Sequence, residues 1–339
     1  MASLKETKGR IASVKSTLKI TSAMKMVASA KLHKAQNAIE NMRPYERKLR
    51  EMLDLLLNSI PAEKRQNLTS QSSSADNRQA LAPENRATLG NVRGGDPSLL
   101  GGGPAEQDVF RGEVPAGKAE NTRNGRVAIV AFASNSSLCG GFNANVIREV
   151  KSRISALEAE GCKVEVLSVG KKIADAMKKA GYPSEQDWND LVGHTSYAGA
   201  DALARLLQKG FADGKYDRIE LIYNHFVSTA TQRVLNEVYL PAGVAASGET
   251  TGNVCPEDII IEPSVEEMLA DLLPRVRSLR IYTVVLDSVA SEHAARTVAM
   301  QTATDNGEGI LQELTLEYNK ARQQKITSEI LDIVGGSMQ

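Results

Sequence analysis

Residues 291–306 read SEHAARTVAMQTATDN. Four alanines, three threonines and a serine leave little bulk on most faces of what the flanking pattern marks as a helix. A helix packed on a core ordinarily carries a stripe of large apolar side chains. Small residues instead let a second backbone come close, so the stretch points to a tightly wound helix pair. A matching run, TSAMKMVASAKL, occupies residues 21–32 near the other end of the chain. Facing one another, the two runs predict a slim shaft, with Met24 and Met26 adaptable to a changing surface.

The apolar spacing outward from this run supports that reading. Leu272, Val276, Leu279, Thr283, Leu286 and Ala290 step by four and three, and Leu311, Leu314 and Tyr318 continue the pattern. Ile326, Ile330 and Ile333 close it before Gly335-Gly336, and Asp305-Asn306-Gly307 is the first breaker after Pro274. Ser264 with Glu267 is a capping-box start. Some seventy residues at ~1.5 Å each span roughly 105 Å, more than a small domain can cover. At the other end, Leu4, Thr7, Ile11, Val14, Leu18 and Thr21 step alike. After a phase shift the steps resume at Leu32, Ala35, Ile39 and Met42, then Leu49, Leu53, Leu56 and Ile60. Alternating threes and fours are the seam of a coiled coil, and Pro44 predicts a kink near Arg43. Residues 1–50 hold twelve basic and three acidic residues, against four basic and seven acidic in 291–339. The ends are thus electrostatically complementary, and an antiparallel intramolecular coiled coil follows.

Between the arms the composition changes twice. Residues 61–124 hold five of the eleven prolines, eight glycines and one aromatic, Phe110, which predicts a flexible insertion. From Arg126, RVAIVAFAS, KVEVLSV and DRIELIYNHFVS read as strands separated by helices, with TQRVLNEVYL as an antiparallel neighbour of the last. The expectation is a small Rossmann-like, mostly parallel α/β sheet. Four segments result: an N-terminal coiled-coil helix 1–60, the insertion 61–124, a base domain 125–263 and a C-terminal coiled-coil helix 264–339.

Charge is balanced, 41 basic against 41 acidic residues, which gives the whole molecule no pull toward nucleic acid. The basic first helix carries one aromatic, Tyr45, and no stacking pattern. The longest apolar run, residues 127–133, falls far short of the ~20 needed to span a bilayer. Cys139, Cys162 and Cys255 lack metal-ligand spacing, and His33, His194, His225 and His293 are scattered, so no metal and no catalytic constellation is expected. SNSSLCGGFN, residues 134–143, sits where a Rossmann fold cradles phosphate but lacks G-x-G-x-x-G, and VGKKIAD is not a Walker A loop. A structural turn is the better reading, and no cofactor is expected. Two further classes fit the residues alone: a nucleotide-binding enzyme with helical extensions, and a coiled-coil adaptor. The basic amphipathic start, taken alone, also fits a transit peptide.

Three stretches resemble the gamma subunit of the F-type ATP synthase: GRIASVKSTLKITSAMKMVASAKLHKAQ followed by RPYERKLREML, LCGGFN after a strand, and LDSVASEHAARTVAMQTATDNGEGILQELTLEYNKARQQKITSEILDIVGG. The likeness begins within a few residues of Met1, which sets the transit peptide aside. It implies a non-catalytic central shaft standing in a ring of three alpha and three beta subunits. The base would sit with epsilon on the c-ring, at the cytoplasmic face of the inner plasma membrane and touching the membrane only through Fo. Ion-driven rotation would then drive conformational change in beta for ATP synthesis or hydrolysis. By motif position, the resemblance places Met24, Lys25, Arg296, Arg322, Gln323 and Thr327 against beta. It makes Ile326, Ile330, Ile333 and Val334 an apolar tip, and turns Lys31, Lys34, Arg43 and Tyr45 toward the c-ring or epsilon. Two departures stand out. Ser134-Asn135-Ser136-Ser137 replaces the family's threonine-aspartate-arginine-glycine, and the insertion is longer than usual and free of cysteine, so the thiol switch of photosynthetic relatives has no counterpart in it. A mobile, peripheral insertion that hinders reverse rotation is the expectation.

Overall fold

The structure, a computed structural model, describes residues 4–59, 125–241, 261–262 and 264–337. The expected flexible insertion at 61–124 and Cys255 lie outside them.

Strand β1 (Arg126–Phe132) is central because its apolar run is buried on both faces. It pairs in parallel with β2 (Lys163–Val169) and β3 (Arg218–Phe226), Val130 standing opposite Leu167 and Leu221. Antiparallel β4 (Gln232–Leu240) completes the order β2-β1-β3-β4. Alternate β1 side chains enter different cores, as the two-residue period of a strand requires. Ile129 and Ala131 pack with Val146 and Val150 of α2 (Phe142–Ala159) and Ile173 of α3 (Lys171–Lys179). Val130 and Phe132 pack on the other face, beside the short helix α4 (Asn189–Gly193), with Leu203 and Leu207 of α5 (Tyr197–Ala212). The fully buried Glu220 meets Arg153 at 2.7 Å and Arg218 at 2.9 Å. Burial alone would raise its pKa, but the two guanidiniums and Asn236 outweigh it and hold the carboxyl below its ordinary range.

The expected long arms are α1 (Leu4–Asn58) and α6 (Val265–Ser337), 55 and 73 residues, or about 80 Å and 110 Å. Ser264 starts α6 by accepting the Glu267 N–H on its Oγ at 3.2 Å. Both helices continue through their prolines, Pro44 and Pro274. The expected phase shift in α1 is absent. Half-buried Lys25 and buried Ala28 bridge Thr21 to Leu32, and half-buried Glu46 bridges Met42 to Leu49, so one three-four repeat runs from Leu4 to Leu56. Reading apolar residues alone skips the two seam positions that carry charge.

Gly307 is not a breaker. A Cβ there would stand 2.7 Å from Leu18 Cδ2, so the missing side chain admits Leu18 from α1. One turn away, the hydroxyls of Thr21 and Thr304 are hydrogen-bonded at 3.0 Å. Gly335-Gly336 does not end α6 either, since the helix runs to Ser337. The small residues of 291–306 answer to two neighbours rather than one. Ala290 and Ala294 are buried against Leu32 and Ala35 of α1, while the Cβ of Ala299 would lie 3.7 Å from one built on Gly140, in the loop after β1. Helix α6 therefore passes between α1 and the sheet domain. On that sheet side, Ile281, Val284 and Val285 join the core of β1 and α5.

Candidate functional site

The loop after β1 is closed upon itself. Ser134 N–H donates to Asn143 Oδ1 at 3.0 Å, and Ser134 Oγ donates to the Ser136 carbonyl at 2.6 Å. Asn135 joins two further segments, donating to the Asn189 carbonyl at 2.8 Å and accepting from Lys171 N–H at 2.9 Å. Leu138 and Gly140 take positive φ, 67° and 58°, to turn the chain into α2. A groove of about 210 Å³ opens beside the loop, lined by residues such as Cys139, Phe142, Asn224, Gln232 and Val298. None of its lining residues is charged, so it offers a phosphate no counter-charge. The geometry fits a structural turn. Among the described residues no three His, Cys, Asp or Glu side chains cluster as metal ligands, and no helix is long and apolar enough to cross a membrane.

Polar side chains of α6 fasten it to the sheet. Arg280 donates from Nε to Glu237 Oε1 at 2.9 Å, from Nη2 to Glu237 Oε2, and to the Tyr223 hydroxyl at 3.1 Å. Asp287 accepts the Phe226 N–H at 2.7 Å and meets His225 Nδ1 at 2.5 Å. Ser291 Oγ donates to the Asn224 carbonyl at 3.0 Å. Arg296 bonds Glu292 Oε1 and Ser136 Oγ, each at 2.7 Å. Burial raises the Glu292 pKa against the pull of Arg296. Burial, with Arg296 and Lys31 close by, pushes His293 down to about 4.

The residues singled out from the sequence fall into four places. Arg322, Gln323, Thr327, Ile326, Ile330, Ile333 and Val334 come together on the last turns of α6, and all are exposed. Here α6 has outrun α1: every described side chain from Arg322 onward is exposed. Leu331, 64% exposed, belongs with them and was missed because it breaks the three-four spacing. Met24 and Lys25 are half-buried on α1, while Met26 and Val27 beside them are exposed. Lys31, Lys34, Arg43 and Tyr45 are exposed further along α1. Arg296 stands apart, about 39 Å down α6 from Arg322. Its guanidinium is turned inward onto Ser136 of the loop after β1, a link between residues 160 positions apart that local sequence does not carry.

The two long helices and the base sheet have counterparts among known proteins. The ATP synthase family model matches residues 3–338. The ATP synthase gamma chain of Phocaeicola vulgatus is 46% identical over 339 residues, covering all of both chains. That of Bacteroides fragilis is 46% identical over 342 residues, again covering both completely. A chain of the Euglena gracilis mitochondrial ATP synthase OSCP/F1/c-ring assembly, at 20% identity, shares the fold with a TM-score of 0.57, covering 99% of this chain and 93% of that one. Family model and full-length relatives agree, and this chain belongs to the ATP synthase gamma chain family.

Proposed function

We propose that the chain is the central rotor shaft of an F-type ATP synthase, itself without catalytic groups, coupling rotation of the membrane ring to conformational change in the catalytic subunits. One observation carries this reading beyond family membership: among the described residues α6 extends about 24 Å past α1, and its Ile326, Ile330, Leu331, Ile333 and Val334 are exposed large apolar side chains. An apolar end of this kind is completed by another molecule. An apolar sleeve formed by a ring of three alpha and three beta subunits completes it, with few directional bonds to resist turning. Arg322, Gln323 and Thr327 supply polar contacts to beta near the tip, and Met24 and Lys25 lie near acidic loops of beta lower on α1. Exposed Lys31, Lys34, Arg43 and Tyr45 face epsilon or the c-ring. The sheet domain is the base, at the cytoplasmic face of the membrane and touching the membrane only through Fo.

Because the shaft is lopsided, with α1 on one side only, its orientation decides which conformation of each surrounding subunit has the best contacts. A ligand or neighbour shifts a conformational equilibrium only by its differential affinity for the states, and a rotating asymmetric axle supplies that difference to each beta subunit in turn. Co-purification tests the assembly. Tagged chain expressed in its native host brings down alpha and beta subunits at 3:3:1; recovery of the chain alone, or with an unrelated complex, overturns the proposal. Calorimetry with ATP, NAD or FAD gives no stoichiometric heat on the isolated chain, which separates this reading from the nucleotide-binding enzyme.

A further inference from the structure

From the polar contacts between α6 and the sheet, we infer that one line of directional bonds on α6 transmits torque between base and shaft, with Asp287 and Arg280 as its positioning residues. The inference rests on the shaft reading. Arg280, Asp287 and Ser291 are seven and four residues apart, which at ~100° per residue places them within about 40° of arc on one strip of the helix. Each grips the sheet at a different point. Arg280 holds Glu237 on β4 and Tyr223 on β3, Asp287 holds the Phe226 N–H and His225, and Ser291 holds the Asn224 carbonyl. Asp287 closes both oxygens on the end of β3.

The chemistry differs from that of the coiled-coil seam. Toward α1, helix α6 presents mainly residues such as Ala290, Ala294, Gly307 and Leu314, whose packing is non-directional, with the Thr21–Thr304 hydrogen bond a directional contact set among them. Such a face gives little resistance to a small roll of one element on another. Hydrogen bonds weaken steeply once stretched or bent. At a radius of roughly 5–6 Å, rolling α6 by about 20° displaces its side-chain atoms by about 2 Å, enough to break bonds such as those of 2.5–3.1 Å here. Ser291 is fully buried, and the Arg280 and Asp287 side chains are largely so. Water therefore does not replace these bonds at low cost as they open. The strip resists twist about the helix axis, the direction in which a rotor is loaded.

The test is torsional stiffness in the assembled complex. The alpha–beta hexamer is fixed to a surface, a bead is attached to the sheet domain, and the bead's angular spread is recorded in the pauses between ATP-driven steps. Asp287→Ala with Arg280→Ala raises the angular variance at least twofold while the unloaded ATP hydrolysis rate holds. Each single variant gives a smaller rise. Asp287→Asn, which keeps an acceptor for the Phe226 N–H, lies nearer wild type than Asp287→Ala. Unchanged variance in the double variant overturns the inference, and so does a fall in assembled complexes with normal variance in those that form, since that is a purely structural role. If the wild-type bead does not turn with ATP, the shaft reading itself falls, whatever the variants do.

Discussion

Ile281 and Ile333 lie on the same helix, one fully buried and the other 72% exposed. Around Ile281, α6 is enclosed by the sheet, α5 and α1, and its small residues are where α1 and the β1 loop come closest. Around Ile333 no described neighbour covers it, and large aliphatics face outward. The two ends obey one rule under different surroundings: side-chain size on a helix is set by what approaches it. Where the neighbour belongs to the same chain, the match is visible in one molecule. Where it belongs to another, the helix looks unfinished.

The comparison can be broken at several points. Ile281→Ala removes buried bulk from the base core and lowers stability by about 2–5 kcal/mol, read as the shift in a denaturant unfolding midpoint. A loss under about 1 kcal/mol means that this part of α6 is not enclosed. Gly307→Val forces branched bulk onto Leu18 and costs about 1–3 kcal/mol by overpacking. A neutral result by the same measurement puts the helices further apart than described.

His293 sharpens the contrast through pH. Its folded pKa of about 4 lies below the ordinary 6.5, so the unfolded chain takes up the proton first. Its contribution is therefore fully present above pH 6.5 and is lost as pH falls from 6.5 toward 4. For a half-buried ring, discounted for solvent screening, that loss is about 1–2 kcal/mol. His293→Gln flattens the slope between pH 7 and 5, and an unchanged slope assigns the pH dependence to other groups.

Gly309, with open space where a Cβ would stand, is the counterpart of Gly307. Changing it to alanine gains about 0.5–1 kcal/mol of helix stability, seen as a raised melting temperature. Least of all, Ile333→Ala alters the stability of the chain by under about 0.5 kcal/mol. A larger loss shows that the tail packs within its own chain.

Much of this architecture was legible in the sequence. The mostly parallel sheet with its antiparallel β4 followed from strands alternating with helices, and the two arms from three-four spacing, because these periodicities are local. The continuity of the α1 seam was not, because Lys25 and Glu46 hold seam positions with charged heads. Lys25 offers a long aliphatic stem, and burial raises the pKa of Glu46 beside Arg280. Gly307 read as a stop because a glycine's role depends on what stands opposite, and Leu18 is 289 residues away. The inward turn of Arg296 was hidden for the same reason. The tail's exposure was foreseen only through the likeness to a family, since spacing reports a face and not its occupant.

Two wound helices resist flexure far better than one, and among the described residues the last 24 Å or so of α6 is a single strand of that rope. A stiff stem thus ends in a pliant whisker. If the proposed sleeve of neighbouring subunits is off-centre or changes shape during the cycle, the whisker bows to follow while the thicker column below stays upright, so alignment errors at the top are absorbed before they reach the foot.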